Sequence, residues 1–378
     1  MTRIKAILIT TIFFVLIGSA YIVWPIAKNF VDTENHEKRE LASKPALTWT
    51  GLRDFPQDYE NYVNDNLPFR NQLIKTEKHV ESATVSLQST EKVLVGKDGW
   101  LYYIDSADGD PVASYKGRDV LTEEQLAGIK SNVEETAKNM KAEGRTFVIM
   151  IVPNKERMYP EYLPDSAGDP AEIYAAKQIY DYLKANTDVH IVYPYDALMQ
   201  AKVNLGENTL LYYKTDSHWN ELGAYIATCE MFKEIADEVP CDLPDYMSSQ
   251  ITIEQQEAPT GDLAEILNAV GVVKNGPTFV PTGLNAHQLQ SIVTNFSGES
   301  QFNTSDGYSN LAVNAKHDSF GDNMAPYLAC QFAYTAMVHH SIGNNDYIRV
   351  VNPDVFVLEC SERYAYSELS QWYYNAAQ

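Results

Sequence analysis

Two short segments of the sequence carry residue types whose spacing suits proton transfer and nucleophilic attack. The first is Asp216-Ser217-His218, in which a carboxylate and an imidazole stand two positions apart. A carboxylate next to a histidine can hold the ring in one tautomer, which a general base requires. The second is Ser319, whose hydroxyl follows an apolar stretch. Together the segments contain every element of a nucleophile–base–acid triad, although each alone also fits an ordinary turn or helix cap.

The backbone around Ser319 is also suited to holding a negatively charged oxygen. Ser319 stands between the apolar stretch Leu311-Ala312-Val313 and a segment compatible with a helix. A serine between a strand and a helix is exposed and has backbone N–H groups near its hydroxyl. The N–H groups at Ser319 and Phe320 are therefore the first candidates for an oxyanion site.

Lys155 and Trp219 are candidates for contact with a substrate. Lys155 follows a predicted strand and would face the site if it pointed inward, although a surface charge is the favoured alternative. Trp219 would stack on a sugar ring if it were exposed, and packing against the sheet is the alternative. No metal site or cofactor is predicted, because His339-His340 with Asp346 lacks a third close ligand and the 4 cysteines lack metal-ligand spacing.

The elements that would position these residues alternate between helix and strand. Thr122 and Gln125 form a predicted capping box, and the apolar run Thr146–Val152 is typical of a strand buried on both faces. Strands are predicted at 146–152, 190–194, 210–213, 310–317, 332–338 and 355–359, with helices that begin at 122, 169–170 and 220. This alternation favours a mostly parallel sheet with helices on both faces. Catalytic residues should then follow the carboxyl ends of the strands.

The first thirty residues have the pattern of an export signal. Arg3 and Lys5 precede an apolar run of about 19 residues from Ala6 to Trp24, close to the ~20 that a membrane-spanning helix needs. Basic residues before this run and acidic ones after it predict a cytoplasmic N-terminus with the body outside. The small residues Gly18-Ser19-Ala20 also fit a signal-peptidase site, so cleavage and secretion are the alternative.

The composition can supply a sizeable core and does not suggest disorder, collagen or a membrane protein with several spans. The 378 residues are 45% hydrophobic and include 25 Tyr. The net charge of −22 argues against nucleic acid and disfavours a polyanionic substrate, because binding such partners needs a basic face. The predicted division is 1–27 signal anchor or signal peptide, 28–60 linker and 61–378 main domain. The stretch around 245–308 is predicted to be an insertion or a cap over the sheet.

Several tracts, taken with the Asp216 and Ser319 segments, resemble the DHHW family and the alginate O-acetylation proteins, which are SGNH-hydrolase-like. The tracts are Asn64–Leu73, Lys97–Tyr102, Pro153–Pro160 and Asn352–Tyr364. The resemblance covers most of residues 35–365 and is weakest over 245–308. It implies a three-layer α/β/α SGNH-hydrolase-like sandwich, held outside the cytoplasm by an N-terminal membrane anchor helix.

The resemblance also implies roles for the triad candidates. Ser319 would be the nucleophile, His218 the base and Asp216 the residue that orients it. The chain order, with Asp-x-His before the serine, is reversed relative to ordinary SGNH esterases and matches the alginate-acetylation relatives. Ser217 stands where the DHHW name has a histidine, and its side chain is expected to face away from the site. Asn154 and Asn323 are the candidates for the oxyanion-hole residues that ordinary SGNH esterases have, and both also fit turn or capping roles.

The activity implied is O-acyl (acetyl) transfer to a cell-surface or secreted polysaccharide through an acyl-serine. A membrane-bound acyltransferase partner would supply the acyl groups. A carbohydrate acetylesterase has the same triad, and a non-catalytic carbohydrate-binding or scaffold subunit would keep the fold without turnover. The acceptor glycan, the acyl donor, the oligomeric state and the pairing of the cysteines stay open.

Overall fold

The computed structural model describes residues 15, 18–33, 40–48, 51–74, 88–284, 290–291, 300–304, 307–343 and 345–375. The chain divides into two compact units, Met1–Thr90 with Asp262–Lys274 and Glu91–Gly261 with Asn275–Gln378. Part of the predicted anchor, residues 1–14 and 16–17, lies outside the described residues. Among the described residues, none of the helices combines the length and the apolar character needed to cross a membrane.

The helices and strands are numbered in chain order. The strands are β1 Val93–Val95, β2 Leu101–Tyr103, β3 Thr146–Val152, β4 His190–Val192, β5 Thr252–Glu257, β6 Pro277–Thr282, β7 Gln290–Ser291, β8 Ser300–Thr304, β9 Ser309–His317, β10 Phe332–His339 and β11 Val355–Ser361. The helices are α1 Phe55–Asp65, α2 Pro111–Tyr115, α3 Glu123–Ala142, α4 Lys155–Met158, α5 Ala175–Asn186, α6 Tyr195–Leu205, α7 Glu221–Glu234, α8 Asp262–Ile266, α9 Ala325–Gln331, α10 Asp346–Val351 and α11 Ala365–Gln371. A 3-10 helix follows β9 at Ser319–Met324, and another follows β11 at Glu362–Tyr364.

The main sheet of the second unit has the strand order β4-β3-β11-β9-β10-β8-β7 within the described residues. The first five strands of that order are parallel to one another, and β8 and β7 are antiparallel additions at one edge. The prediction of a mostly parallel sheet is therefore confirmed. Within the stretch 245–308, β7 and β8 belong to the edge of the main sheet, and β5 and β6 form a separate two-stranded sheet.

The two faces of the sheet pack against separate layers of helices. Positions 148, 150 and 152 of β3 face a core shared with α6, α7 and α9. Positions 147, 149 and 151 face a second core shared with α3, α5 and α11. Successive side chains of a strand point to opposite faces, so an uninterrupted apolar run fills both cores. The predicted three-layer α/β/α sandwich follows from this arrangement.

Local sequence signals placed several element ends correctly. The Thr122 side chain and the Gln125 side chain form the reciprocal bonds of a capping box at the start of α3. Gly144 ends the turn after α3 with φ +76, a backbone conformation that favours glycine. Asn220 caps α7 by accepting a hydrogen bond from Gly223 N. The four cysteines, all in the described part, are free thiols.

Two predicted elements differ from the structure, one in its first residue and one in its pairing. The helix expected to begin at 169–170 begins at Ala175, after Ala171, whose N–H donates to Tyr115 O, and after Tyr174, which is extended. The strand expected at 210–213 is not part of the main sheet and forms only an isolated bridge between Tyr212 and Trp219. Its Leu211 N donates to the Tyr159 hydroxyl at 2.8 Å instead of to a neighbouring strand.

Candidate active site

Ser319 lies at the carboxyl edge of the sheet. It is the second residue after β9, which pairs with β11 on one side and β10 on the other. Asp318 is extended and its side chain accepts a hydrogen bond from Phe320 N, which starts the 3-10 turn at Ser319. The serine is therefore presented where residues that follow neighbouring parallel strands converge.

The segment with Asp216 and His218 is a tight loop between the 210–213 segment and α7. Tyr213 N donates to His218 O at 3.1 Å, and Asn220 N donates to Leu211 O at 2.9 Å. These bonds close the loop at its base and leave residues 214–217 to form its tip. The loop brings Asp216 and His218 together, although the predicted strand before it is missing.

Asp216, His218 and Ser319 form a continuous chain of hydrogen bonds. Asp216 Oδ1 lies 2.6 Å from His218 Nδ1 and also accepts the backbone N–H of His218 at 2.9 Å. His218 Nε2 lies 2.7 Å from Ser319 Oγ. When Nδ1–H donates to the carboxylate, Nε2 is free to accept the hydroxyl hydrogen of Ser319. The arrangement can therefore deprotonate Ser319 and stabilise the imidazolium that results.

The residues next to the histidine and the serine also bind one another. Trp219 Nε1 donates to Phe320 O at 2.9 Å, and Asn323 Nδ2 donates to Trp219 O at 3.0 Å. The Phe320 ring packs 4.7 Å from the His218 ring, centroid to centroid. Trp219 is fully buried, so the expectation that it stacks on a sugar is wrong and the packing alternative holds. The Asn323 side chain is used in the hydrogen bond to Trp219 O and does not face a substrate.

The candidate oxyanion donors differ in whether they are already engaged. Phe320 N–H donates to Asp318 Oδ1 at 2.9 Å, so this amide is occupied and does not fill the role expected of it. No hydrogen-bond partner for the Ser319 N–H occurs among the described residues. Asn154 is 2% exposed, and neither polar atom of its side chain has a hydrogen-bond partner in the described structure. Ser319 N–H and the Asn154 amide are therefore the donors still available.

Two expectations about side-chain direction are corrected. Lys155 is 2% exposed and its Nζ donates to backbone carbonyls, including Asp216 O at 2.7 Å. It is neither a surface charge nor directed at a substrate, because the end of β3 carries it into the interior. Ser217 does not face away, since its Oγ lies 3.3 Å from His218 Nδ1.

A buried pair of carboxyl groups beside Ser319 was not predicted as a unit. Asp318 accepts Phe320 N–H at 2.9 Å and Ser361 N–H at 2.8 Å. Burial alone would raise the pKa of Asp318, but the Arg363 charge and these hydrogen bonds outweigh it and lower the pKa. Glu359 Oε2 accepts Asp318 N–H at 3.1 Å. Burial and the nearby Asp318 charge hold the pKa of Glu359 well above its ordinary value.

A second network links the ends of β3 and β11. Glu362 forms a buried ion pair with Arg157, with 2.9 Å between Oε1 and Nε, and not with its neighbour Arg363. Glu362 also accepts Ser114 Oγ–H at 2.6 Å, Tyr193 OH at 3.0 Å and Asn154 N–H at 3.2 Å. The ion pair therefore fixes the backbone of Asn154. Because Arg157 and Glu362 are 205 positions apart, no local pattern could have indicated the contact.

Comparisons with known proteins identify the family of the chain. The family model described as "SGNH hydrolase-like domain, acetyltransferase AlgX" matches residues 93–307, more than half of the chain. A probable alginate O-acetylase AlgJ of Pseudomonas fluorescens is 34% identical over 151 residues, which are 39% of this chain and 34% of that protein. The corresponding Pseudomonas aeruginosa protein is 25% identical over 240 residues, 63% of this chain and 53% of that one. The chain thus matches between about a third and about half of the length of these relatives.

The fold has a counterpart among solved structures. Bacillus cereus PatB1 with a sulfonyl adduct superimposes with a TM-score of 0.53 at 14% sequence identity. The superposition covers 76% of this chain and 100% of that one. At this level of identity the likeness concerns the fold.

Proposed function

Since the chain belongs to the SGNH hydrolase-like family of the acetyltransferase AlgX, we propose that it is an O-acetyltransferase that acts on polysaccharide outside the cytoplasm. The observation that carries the proposal is the hydrogen-bonded chain Ser319–His218–Asp216, with contacts of 2.7 and 2.6 Å. Such a chain activates a hydroxyl for attack on a carbonyl carbon. A scaffold subunit without turnover has no need of this alignment.

The proposed first half-reaction forms an acetyl-serine. His218 Nε2 takes the proton of Ser319 as Oγ bonds to the acetyl carbonyl carbon. The oxyanion is held by Ser319 N–H and the Asn154 amide, and such a donor contributes about 10²–10³-fold in rate. When the intermediate collapses, the bond to the leaving group breaks, and the leaving oxygen takes the proton from His218.

The second half-reaction releases the acetyl group to the acceptor. A sugar hydroxyl gives its proton to His218 Nε2 and attacks the acetyl-serine carbonyl. Collapse of this second intermediate breaks the bond to Ser319 Oγ, which takes the proton back from His218. Water in the place of the sugar would make the same site an acetylesterase, so the exclusion of water decides between the two activities.

The acceptor and the cellular setting are part of the proposal. The names of the Pseudomonas relatives, probable alginate O-acetylases, support a polysaccharide acceptor. The net charge of −22 favours a neutral polysaccharide over a strongly anionic one. We place the body on the outer side of the membrane, held by the N-terminal helix, with a membrane-bound acyltransferase as the source of acetyl groups.

The proposal is tested by trapping the acetyl-serine. The full-length chain, purified in mild detergent, is incubated with p-nitrophenyl acetate and digested for peptide mass spectrometry. We expect an acetyl group on Ser319 that is absent in Ser319→Ala and in His218→Ala. Ser367→Ala, which removes an exposed serine hydroxyl, is the matched control and should leave the adduct unchanged.

Addition of polysaccharide acceptors then distinguishes a transferase from an esterase. A neutral and an anionic polysaccharide are added to the acetylated enzyme, and loss of the adduct is followed together with acetate release. Transfer to a polysaccharide supports the transferase, whereas release of acetate alone supports the esterase. If the folded wild-type protein forms no adduct and hydrolyses no ester, the proposed activity is wrong and a binding subunit remains.

A further inference from the structure

Lys155 has an unusual position for a lysine, because its ammonium group lies inside the protein against the Asp216 loop. The residue is 2% exposed. Its Nζ donates to three backbone carbonyl oxygens, those of Leu101 at 2.6 Å, Lys214 at 2.9 Å and Asp216 at 2.7 Å. An ammonium has three N–H bonds, so these carbonyls match its donors in number.

Burial of this charge is costly and therefore needs strong partners. A buried ammonium loses its hydration, and only charge-assisted hydrogen bonds with good geometry compensate for the loss. The rings of Trp100 and Tyr102 add to these bonds, with Nζ 5.1 and 5.3 Å from their centroids. These hydrogen bonds and ring contacts come from β2 with the adjoining Trp100 and from the loop.

The three carbonyls belong to two separate parts of the chain. Leu101 is the first residue of β2, whereas Lys214 and Asp216 lie in the loop that precedes His218. Lys155 itself comes three residues after β3, as the first residue of α4. A backbone bond from Leu101 N to Lys214 O at 3.1 Å joins β2 to the same loop. The ammonium therefore connects the end of β3, the start of β2 and the catalytic loop.

We propose that Lys155 is a positioning residue that fixes the Asp216 backbone, and through it the orientation of His218 toward Ser319. The inference rests on the proposed function of the triad. Its bonds run to backbone carbonyls, so Lys155 contributes nothing directly to the acyl group or to the oxyanion. Loss of these bonds lets the loop shift, and a shift of about 1 Å in a catalytic group can lower the rate by about 10²-fold.

The test compares variants that differ in donors and charge. Lys155→Met keeps the length and apolar stem but has no donor, and Lys155→Arg keeps the charge and donors. Lys202→Met is the matched control, because the Lys202 ammonium also donates to a carbonyl, Met158 O at 2.5 Å, and lies 3.8 Å from the Tyr159 ring centroid. The measurements are kcat and KM for p-nitrophenyl acetate, the rate of Ser319 labelling by a sulfonyl fluoride, and the melting temperature.

We expect Lys155→Met to lower kcat by about 10²-fold and to slow labelling similarly, with KM within about two-fold of wild type. The kcat of Lys155→Arg should be at least about ten-fold higher than that of Lys155→Met, because arginine restores the charge and the N–H donors. Lys202→Met should lower the melting temperature and leave kcat unchanged. A folded Lys155→Met with wild-type kcat and labelling rate, or with only a raised KM, overturns the inference.

Two further outcomes must be distinguished from a failure of the inference about Lys155, namely a variant that does not fold and a failure of the proposed activity. If Lys155→Met does not fold, Lys155→Gln, which keeps two N–H donors without the charge, replaces it. Slower labelling of folded Lys155→Gln supports the inference, and labelling at the wild-type rate overturns it. If wild type forms no acetyl-serine but Ser319 is labelled, the proposed activity fails, while the labelling rates of the variants still decide the role of Lys155.

Discussion

Asp318 and Glu359 are neighbouring buried carboxyl groups whose pKa values move in opposite directions. The pKa of Asp318 is lowered, because the Arg363 charge and the donors Ser361 N and Phe320 N outweigh the effect of burial. The pKa of Glu359 is raised by burial and by the charge of Asp318. The two shifts therefore favour the charged form of Asp318 and the protonated form of Glu359.

Glu359→Gln is expected to stabilise the protein increasingly as the pH rises. Folded Glu359 keeps a proton that the unfolded chain releases above its ordinary pKa of 4.5. Wild-type stability therefore falls as the pH rises from that value toward the folded pKa, and glutamine removes this loss. The melting temperature of the variant minus that of wild type should be near zero at pH 4 and positive at pH 8.

Scanning calorimetry between pH 4 and pH 8 measures this difference. The exposed side chain of Glu135 on α3 supplies the matched control, and Glu135→Gln should give no comparable trend. A constant difference for Glu359→Gln, or one that falls with pH, contradicts the assignment of a buried proton to Glu359.

At the scale of elements, the catalytic loop is confined on more than one side. Thr215 Oγ1 donates to Asn275 Oδ1 at 3.0 Å, and Lys155 binds the loop from the end of β3. The Gly261 backbone packs against the loop so closely that a Cβ there would overlap the Thr215 carbonyl and the Asp216 N. Room for a side chain at 261 could be made only by moving backbone.

Gly261→Ala is therefore expected to displace the Asp216 loop and lower kcat by at least about ten-fold. Gly128→Ala is the control, because a Cβ at that position of α3 meets nothing within 4 Å and alanine favours a helix by about 0.5–1 kcal/mol. Steady-state kinetics and melting temperatures of both variants are the measurements. Wild-type kcat in a folded Gly261→Ala would show that the loop tolerates the displacement.

The sequence predicted those helices and strands that are specified by residues close together in the chain. The apolar run of β3 indicated a strand buried on both faces, and the capping groups of Thr122 and Asn220 marked helix starts. The segment 210–213 has a similar apolar pattern, but the Tyr159 hydroxyl binds its Leu211 N from 52 positions away. Such a partner can be recognised only when the fold is known, so the strand prediction failed there.

The candidate site was likewise predictable from the sequence only in part. Asp216, His218 and Ser319 could be singled out because their residue types and spacing suggest chemistry, and the structure brings them together. The directions of Lys155 and Trp219 could not be predicted, since each depends on whether the neighbouring chain leaves its side chain exposed. Burial of both decides against substrate contact.

At the scale of the whole molecule, the proposed location depends on residues 1–27. Cells that produce the chain with a C-terminal tag should carry it in the membrane fraction, and protease added to spheroplasts should digest the tag. Deletion of residues 2–24 should leave the protein inside the cell, because the apolar run is needed for export. Reversal of the basic charges, Arg3→Glu with Lys5→Glu, should reduce export, since basic residues stay on the cytoplasmic side.

The control for this experiment is a cytoplasmic protein that carries the same tag and must resist the protease. Full-length protein that fractionates with the cytoplasm and resists digestion contradicts both the anchor and the outside location. Loss of residues at the N-terminus, measured by sequencing the mature protein, would instead indicate cleavage near Gly18-Ser19-Ala20.

The order of strands across the sheet has a consequence for synthesis of the protein. β11 is the final strand along the chain, yet it lies between β3 and β9. A nascent chain that has left the ribosome only as far as β10 already contains the triad residues, but β3 and β9 have no strand to join them. Function can therefore begin only once residues 355–361 have been translated, and the unpaired edges must until then be kept from other chains.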